Sequence, residues 1–188
     1  MKRIIWINAC LLAVFFMLGS MAPVQDDDRS NFKEDFLTRI NRVRQSGCKC
    51  GSQKMPPVPP LVWNDQLEKA AEGHADDMAA RRYFNHTGKD GSSSYDRVTR
   101  VGYTIKGYRS FAVGENIAYG QQSIEEVQNG WFKSPGHCKN LMNADFKDVG
   151  VARNNGYWVQ DFGGREEFST QQKLMIKKGA KIIEQKND

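Results

Sequence analysis

The sequence predicts an α+β domain, on three observations. Capped segments with apolar residues at helical spacing fill the first two thirds of the chain. Two segments joined by an Asn-Gly turn come late. Strand and helix signals do not alternate along the chain as they would in β-α units. The length of 188 residues, less its two ends, suits one domain, and an aromatic content of 11% with four tryptophans supplies bulk for a core.

In chain order, Asn31 with Glu34 three residues on forms a capping box, and Phe32, Phe36, Leu37, Ile40 and Val43 recur at helical spacing up to Gly47. Residues 48–60 read as a loop because of Gly51, Pro56, Pro57, Pro59 and Pro60. A second helix begins at Asn64, where Asp65 and Glu68 repeat the capping spacing; its stripe is Leu67, Ala70, Ala71, His74, Ala75, Met78 and Ala79, small enough for close packing. Ser94 to Val101 is a short helix stopped by Gly102. Ser123 with Glu126 opens another, facing inward with Ile124, Val127 and Trp131, and Ser134-Pro135 caps the next turn, which carries His137, Cys138 and Leu141. Asp148 to Arg153 and Tyr157 to Phe162 are strands of a hairpin turning at Asn154-Asn155-Gly156.

Both ends stand apart from this domain. Lys2 and Arg3, an apolar run from Ile4 to Leu18 and the small residues up to Ala22 have the layout of a signal peptide, residues 1–22. At about 15 residues the run is short of the ~20 a bilayer span needs, which favours a cleaved leader over an anchor. Pro23 disfavours a cut after Ala22, leaving Ser20 as the alternative. Residues 23–30 form an acidic linker, 31–163 the domain, and 164–188 a charged tail, readable as a docked helix or a loose end.

The formal charge of +5 is mostly terminal: two positive residues belong to the leader and the tail has an excess of two. The domain lacks the clustered basic face of a nucleic-acid binder. In an exported setting, Cys48, Cys50 and Cys138 imply one disulfide and one leftover thiol. Cys48 and Cys50 are poorly spaced to bond each other, so the bridge joins one of them to Cys138; Cys50–Cys138 is the candidate pair. Zinc binding by these thiols competes with that reading, but C-x-C plus one distant cysteine lacks the paired spacing of zinc sites.

Three histidines and one glutamate are candidates for chemistry. His74 lies on an apolar helix stripe and reads as a core histidine. His86 follows a helix end in a turn-rich segment, a place suited to a ligand or acid/base group. His137 sits in the first turn after Ser-Pro, beside the cysteine that would fix that turn. Glu115 lies between Gly114 and Asn116. Two histidines and a carboxylate could make an open zinc site, whereas H-E-x-x-H, phosphate-binding and G-x-S-x-G motifs are absent from the sequence.

The ordered series Asn64-Asp65-x-Leu67, His74-Ala75, Phe84-x-His86, Gly102-Tyr103, Gly114-Glu115-Asn116-Ile117, Trp131-x-x-Ser134-Pro135-Gly136-His137 and Tyr157-Trp158-x-Gln160-x-Phe162-Gly163 resembles the CAP superfamily of cysteine-rich secretory, antigen 5 and pathogenesis-related proteins, in its bacterial SCP-domain branch. The resemblance covers Asn31 to Gly163. It implies a three-layer α-β-α sandwich around a small antiparallel sheet, with a further strand around Glu115 to Tyr119. It also implies a cleft where two histidines and two acidic residues converge, sometimes around zinc. His86, Glu115 and His137 match three of these positions, while the second acid falls at Ser134, which is uncharged and a poor zinc ligand; capping of the His137 helix is the preferred role for its hydroxyl.

These readings favour a secreted binding module whose cleft (His86, Glu115, Ser134, His137) takes a divalent metal, a peptide, or a lipid-like or cell-envelope ligand without turnover. Zinc is the candidate cofactor, with His86 and His137 as its ligands. The alternative is a zinc-dependent hydrolase, a peptidase or cell-wall enzyme, with Glu115 as catalytic base. A third reading makes the polar set a purely structural network. No nucleic acid and no membrane span after leader cleavage are expected.

Overall fold

Helix α1 (Asp26–Ser46) starts earlier than the capping box at Asn31 suggests. In this computed structural model, which describes residues 26–178, the extra turn is held by tertiary ion pairs: Arg29 reaches Glu68 at 3.0 Å and Glu72 at 2.8 Å on the second helix. Most of the expected acidic linker is therefore helical. The signal-peptide reading of residues 1–22, and the tail beyond residue 178, lie outside the described residues. Among the described residues, no helix is long and apolar enough to cross a membrane.

The expected loop after Gly47 contains a hairpin, β1 (Cys48–Cys50) with β2 (Gln53–Met55). The prolines begin only at Pro56, and Gly51 turns the chain at φ +64°, a conformation glycine adopts without steric cost. Two-residue β3 (Val62–Trp63) leads into α2 (Asp65–Arg81), whose Asn64 cap accepts from the Gln66 and Leu67 amides. Helix α3 (Ser94–Arg100) carries a full capping box between Ser93 and Asp96. Then come β4 (Ser110–Tyr119), α4 (Ile124–Lys133) capped by Ser123, and α5 (Pro135–Leu141). Strands β5 (Asp148–Asn154) and β6 (Tyr157–Glu166) form the expected hairpin, with Asn155 and Gly156 at the positive φ of an Asn-Gly turn. In the tail, β6 runs past Gly163, and α6 (Thr170–Lys177) follows with no buried residue.

The main sheet runs β3-β5-β6-β4; β4, β6 and β5 are antiparallel, and short β3 adds a parallel pair to β5. Side chains alternate across it. On one face Val149, Val151, Trp158 and Phe162 meet Phe36 and Ile40 of α1, Val127 and Trp131 of α4, and Leu141 of α5. On the other, Ile117, Ala152 and Val159 meet Ala71, Ala75 and Met78 of α2. This is the three-layer α-β-α sandwich.

Two residues set the spacing of the layers. Gly150 faces α2 so closely that a β-carbon there would lie 1.9 Å from the Glu68 amide nitrogen, so only glycine fits. Buried Arg44 on α1 donates to the carbonyls of Pro59, Leu141, Asn143 and Phe146, pinning loops at one end of the sandwich. The Cys50–Cys138 disulfide fastens the hairpin to α5, with Cys48 left as a free thiol.

Candidate functional site

Strand β4 is an edge of the sheet, and its residues alternate between the two helical layers. Glu115 is the cross-strand partner of Asp161 on the α2 side, whereas Asn116 pairs with Gln160 on the α5 side. The site is therefore built around the free edge of one strand, from residues presented on both faces.

On the first side, the chain leaving α2 carries His86, whose side chain is 56% exposed, onto Glu115, whose side chain is 2% exposed. His86 Nδ1 lies 2.6 Å from Glu115 Oε1. An ionised carboxylate can only accept, so Nδ1 carries the proton and donates it; in the neutral ring Nε2 is then the bare acceptor. The other oxygen, Oε2, accepts from Arg97 Nη2 at 2.6 Å. Arg97 also donates to the backbone carbonyls of His86 and Ser92, so a single buried guanidinium fixes both the carboxylate and the loop carrying the histidine.

On the second side, α5 is docked by amides. Asn140 Nδ2 donates to the Glu115 carbonyl at 3.1 Å and to Asn116 Oδ1 at 3.0 Å, while Asn116 Nδ2 donates to the His137 carbonyl and to Gln160 Oε1. This places half-buried His137 near His86. Burial first, and then the nearness of His86, hold the His137 imidazole below the ordinary histidine range, which keeps it neutral and able to ligate.

His86 and Glu115 thus meet directly, with His137, from the other layer, close enough to His86 for the two to interact electrostatically. The ligand atoms of these three are not gathered within 4.8 Å of one another; among the described residues, the group meeting that spacing is Cys48, Cys50 and Cys138. The expected hydroxyl cap at Ser134 does not form. Ser134 occupies the N-cap position through its backbone, which already ends α4, and its side chain makes no cap hydrogen bond. His74 is a buried core histidine donating through Nε2 to the Asn85 carbonyl, with burial lowering its pKa. It lines a cavity of about 240 Å³ between α2 and α3, to which Arg97 also contributes.

Arg97, Asp161 and Asn140 carry no functional signal in their residue type, and Asn116 and Gln160 stand in the sequence only as members of ordered motifs. Gln160-Asp161 inside an apolar strand was the available signal, because buried polar residues need partners. Asp161 is fully buried, and neither oxygen has a hydrogen-bond partner among the described residues. Burial first, and then the Glu115 charge, push its carboxyl well above the ordinary range, against the opposing effect of Arg97. The unfolded chain ionises this group near pH 4 while the folded chain keeps the proton. Its contribution to stability is accordingly lost as pH rises above about 4 towards the raised folded value. Asp161→Asn cannot ionise, so its advantage over the parent in thermal unfolding should grow from pH 4 to pH 7, by about 1.4 kcal/mol for each pH unit over which the folded parent keeps a proton that the unfolded chain has lost. An advantage independent of pH would contradict a neutral Asp161.

Residues 37–162 match the cysteine-rich secretory protein family, CAP. The uncharacterized protein YkwD of Bacillus subtilis (strain 168) is 35% identical over 108 residues, covering 56% of this chain and 40% of that protein. The uncharacterized membrane protein YlbC of the same strain is 35% identical over 127 residues, covering 67% and 32%. The chain therefore spans less than half the length of these curated relatives. Among solved structures, an extracellular protein containing a SCP domain from Bacillus anthracis aligns with a TM-score of 0.54 at 26% identity, over 75% of this chain and 44% of that one. An outer surface protein from Borrelia burgdorferi aligns at 0.56 and 20% identity, over 75% and 95%; at that identity the likeness concerns the fold.

Proposed function

Because the chain belongs to the cysteine-rich secretory protein (CAP) family, we propose that it is an exported binding module whose cleft presents His86 Nε2 and the His137 imidazole to a divalent cation such as zinc. The observation that carries this reading is the Glu115–His86 hydrogen bond. A carboxylate that receives one imidazole N–H orients the ring and raises the basicity of its other nitrogen, the arrangement metal-binding histidines commonly have. Export rests on Lys2, Arg3 and the apolar run after them, on the disulfide, and on the extracellular SCP-domain protein of Bacillus anthracis.

The donor set fits weak, exchangeable binding. Two imidazoles suit zinc, but both Glu115 oxygens are already engaged and Ser134 adds no charge. A bound cation would supply Lewis acidity at positions open to an acidic or polar group of a peptide or cell-envelope ligand. Exposed Phe84 and Tyr119, with ring centroids 6.5 Å apart, offer an apolar ledge on the same strand edge for the rest of such a ligand. The hydrolase reading has less support: Glu115, its base, would have to leave Arg97 or His86 to take a proton.

Calorimetric titration of the oxidised full chain carrying Cys48→Ser with zinc chloride tests the proposal. The protein should bind zinc. His86→Ala should weaken binding by more than about 100-fold, and Glu115→Gln by about 10–100-fold, the range for an orienting partner. Zinc affinity unchanged in His86→Ala, or no binding in the parent, would remove the metal from the account.

A further inference from the structure

The three sulfurs at the other end of α5 are arranged for more than a bridge. We propose that Cys48, Cys50 and Cys138 form a redox-gated site for one thiophilic metal ion: closed while the Cys50–Cys138 disulfide is intact, and a three-thiolate site once that bond is reduced.

Geometry carries this inference. The Sγ atoms all lie within 4.8 Å of one another. The free Cys48 Sγ stands 4.0 Å from Cys50 Sγ and 3.8 Å from Cys138 Sγ. Thiolates at ~2.3 Å from a tetrahedral zinc ion stand roughly 3.8 Å apart, so two of the three spacings already suit the metal, and reduction frees the third. The near-equal distances place Cys48 beside the disulfide rather than at its end, where a displacing thiolate must stand. Simple exchange is therefore poorly aligned, while three-point coordination is not.

The scaffold keeps the trio together when the bond opens. Cys48 and Cys50 are two apart on β1 and project to one face, and backbone pairing with β2 sets their register, Cys48 with Met55 and Cys50 with Gln53. Met142, Val43, Met55, Val58 and Phe132 pack around the sulfurs and limit water access. Cys50 and Cys138 are buried, while Cys48 is half-exposed and offers the way in. Burial raises the Cys48 thiol pKa, which disfavours a free thiolate, but a coordinated thiol gives up its proton outright. In the sequence the C-x-C spacing looks unlike a zinc motif; the fold supplies the third ligand from a helix 88 residues away.

The chemistry balances with an external reductant. A phosphine or thiol reductant takes up the oxidising equivalents and leaves Cys50 and Cys138 as thiols; binding one divalent ion then releases the three thiol protons to solvent, with a fourth position open.

The test uses the full chain with its fourth cysteine, which lies in the apolar run of residues 4–18, replaced (Cys10→Ser), reduced by a phosphine under anaerobic conditions and titrated with cobalt(II). One equivalent should produce thiolate-to-cobalt charge-transfer absorption and protect the three thiols from a disulfide reagent; the oxidised protein should show neither. Cys48→Ser should weaken binding by more than about 100-fold, beyond the range for second-shell changes. His86→Ala should leave the thiolate absorption unchanged, which separates this site from the histidine cleft. If reduction alone loosens the fold, zinc should restore the near-ultraviolet circular dichroism. Absence of the charge-transfer band, its persistence at full strength in Cys48→Ser, or failure of zinc to restore a loosened fold would each overturn the proposal, as would peptide mapping that places Cys48 in the native disulfide.

Discussion

Replacing Arg97 by methionine is expected to destabilise the domain by about 3–5 kcal/mol at neutral pH, the cost of removing one partner of a buried ion pair. An exposed pair would contribute only about 0–1 kcal/mol, but the Arg97 and Glu115 side chains are 7% and 2% exposed. Methionine approximates the length of the arginine stem, so the loss is chiefly electrostatic. Glu115 would remain buried beside Asp161 with no cation, and the carbonyls of His86 and Ser92 would lose their donor. Denaturant unfolding at neutral pH is the measurement. Glu115→Gln in the Arg97→Met background should recover part of the loss; no recovery, or a deficit below about 1 kcal/mol, would show that Arg97 does not neutralise the site. Zinc affinity should also fall, because Arg97 holds the His86 loop.

Cys138→Ala is the second large effect. The Cys50–Cys138 bridge closes a loop of 88 residues, and the chain-entropy account assigns such a constraint roughly 4 kcal/mol. The buried sulfur also fills space between α5 and the β1–β2 hairpin, so its loss leaves a small cavity. Because α5 carries His137, the variant should loosen the His137 side of the cleft while leaving the Glu115–His86–Arg97 side in place. Denaturation midpoints of the oxidised parent and the variant read the first effect; imidazole resonances of His86 and His137 read the second. A change below about 1 kcal/mol would mean the hairpin and α5 are held by packing and not by the bond.

The helices were legible because their signals are local. Asn64, Ser93 and Ser123 cap where capping residues stand or one position away, and the stripe from Leu67 to Met78 is the stripe that packs on the sheet. The exception, the start of α1, is decided by Arg29 pairing with residues some 40 positions away, which no local signal encodes. Strand β4 hides for a different reason: Glu115 and Asn116, on its opposite faces, are both buried for the sake of the site and break the period of two that marks a strand. The late hairpin keeps that period and an Asn-Gly turn. The ordered motifs single out His86, Glu115 and His137 as candidates. Arg97, by contrast, sits among charged residues on a short helix and looks solvated until the fold folds it inward. Cys48, the apparent leftover, acquires meaning only from its distance to the bridge.

Glu115 orients His86 so that Nε2, the unprotonated acceptor nitrogen, faces the cleft. Nitrogen-15 NMR of the imidazole rings tests it most directly. In the oxidised protein at neutral pH the His86 ring should show a protonated Nδ1 and an unprotonated Nε2, added zinc should move the Nε2 resonance of His86 together with a ring nitrogen of His137, and Glu115→Gln should scramble the His86 tautomer. A His86 ring protonated at Nε2, or one that zinc does not perturb, would contradict the account.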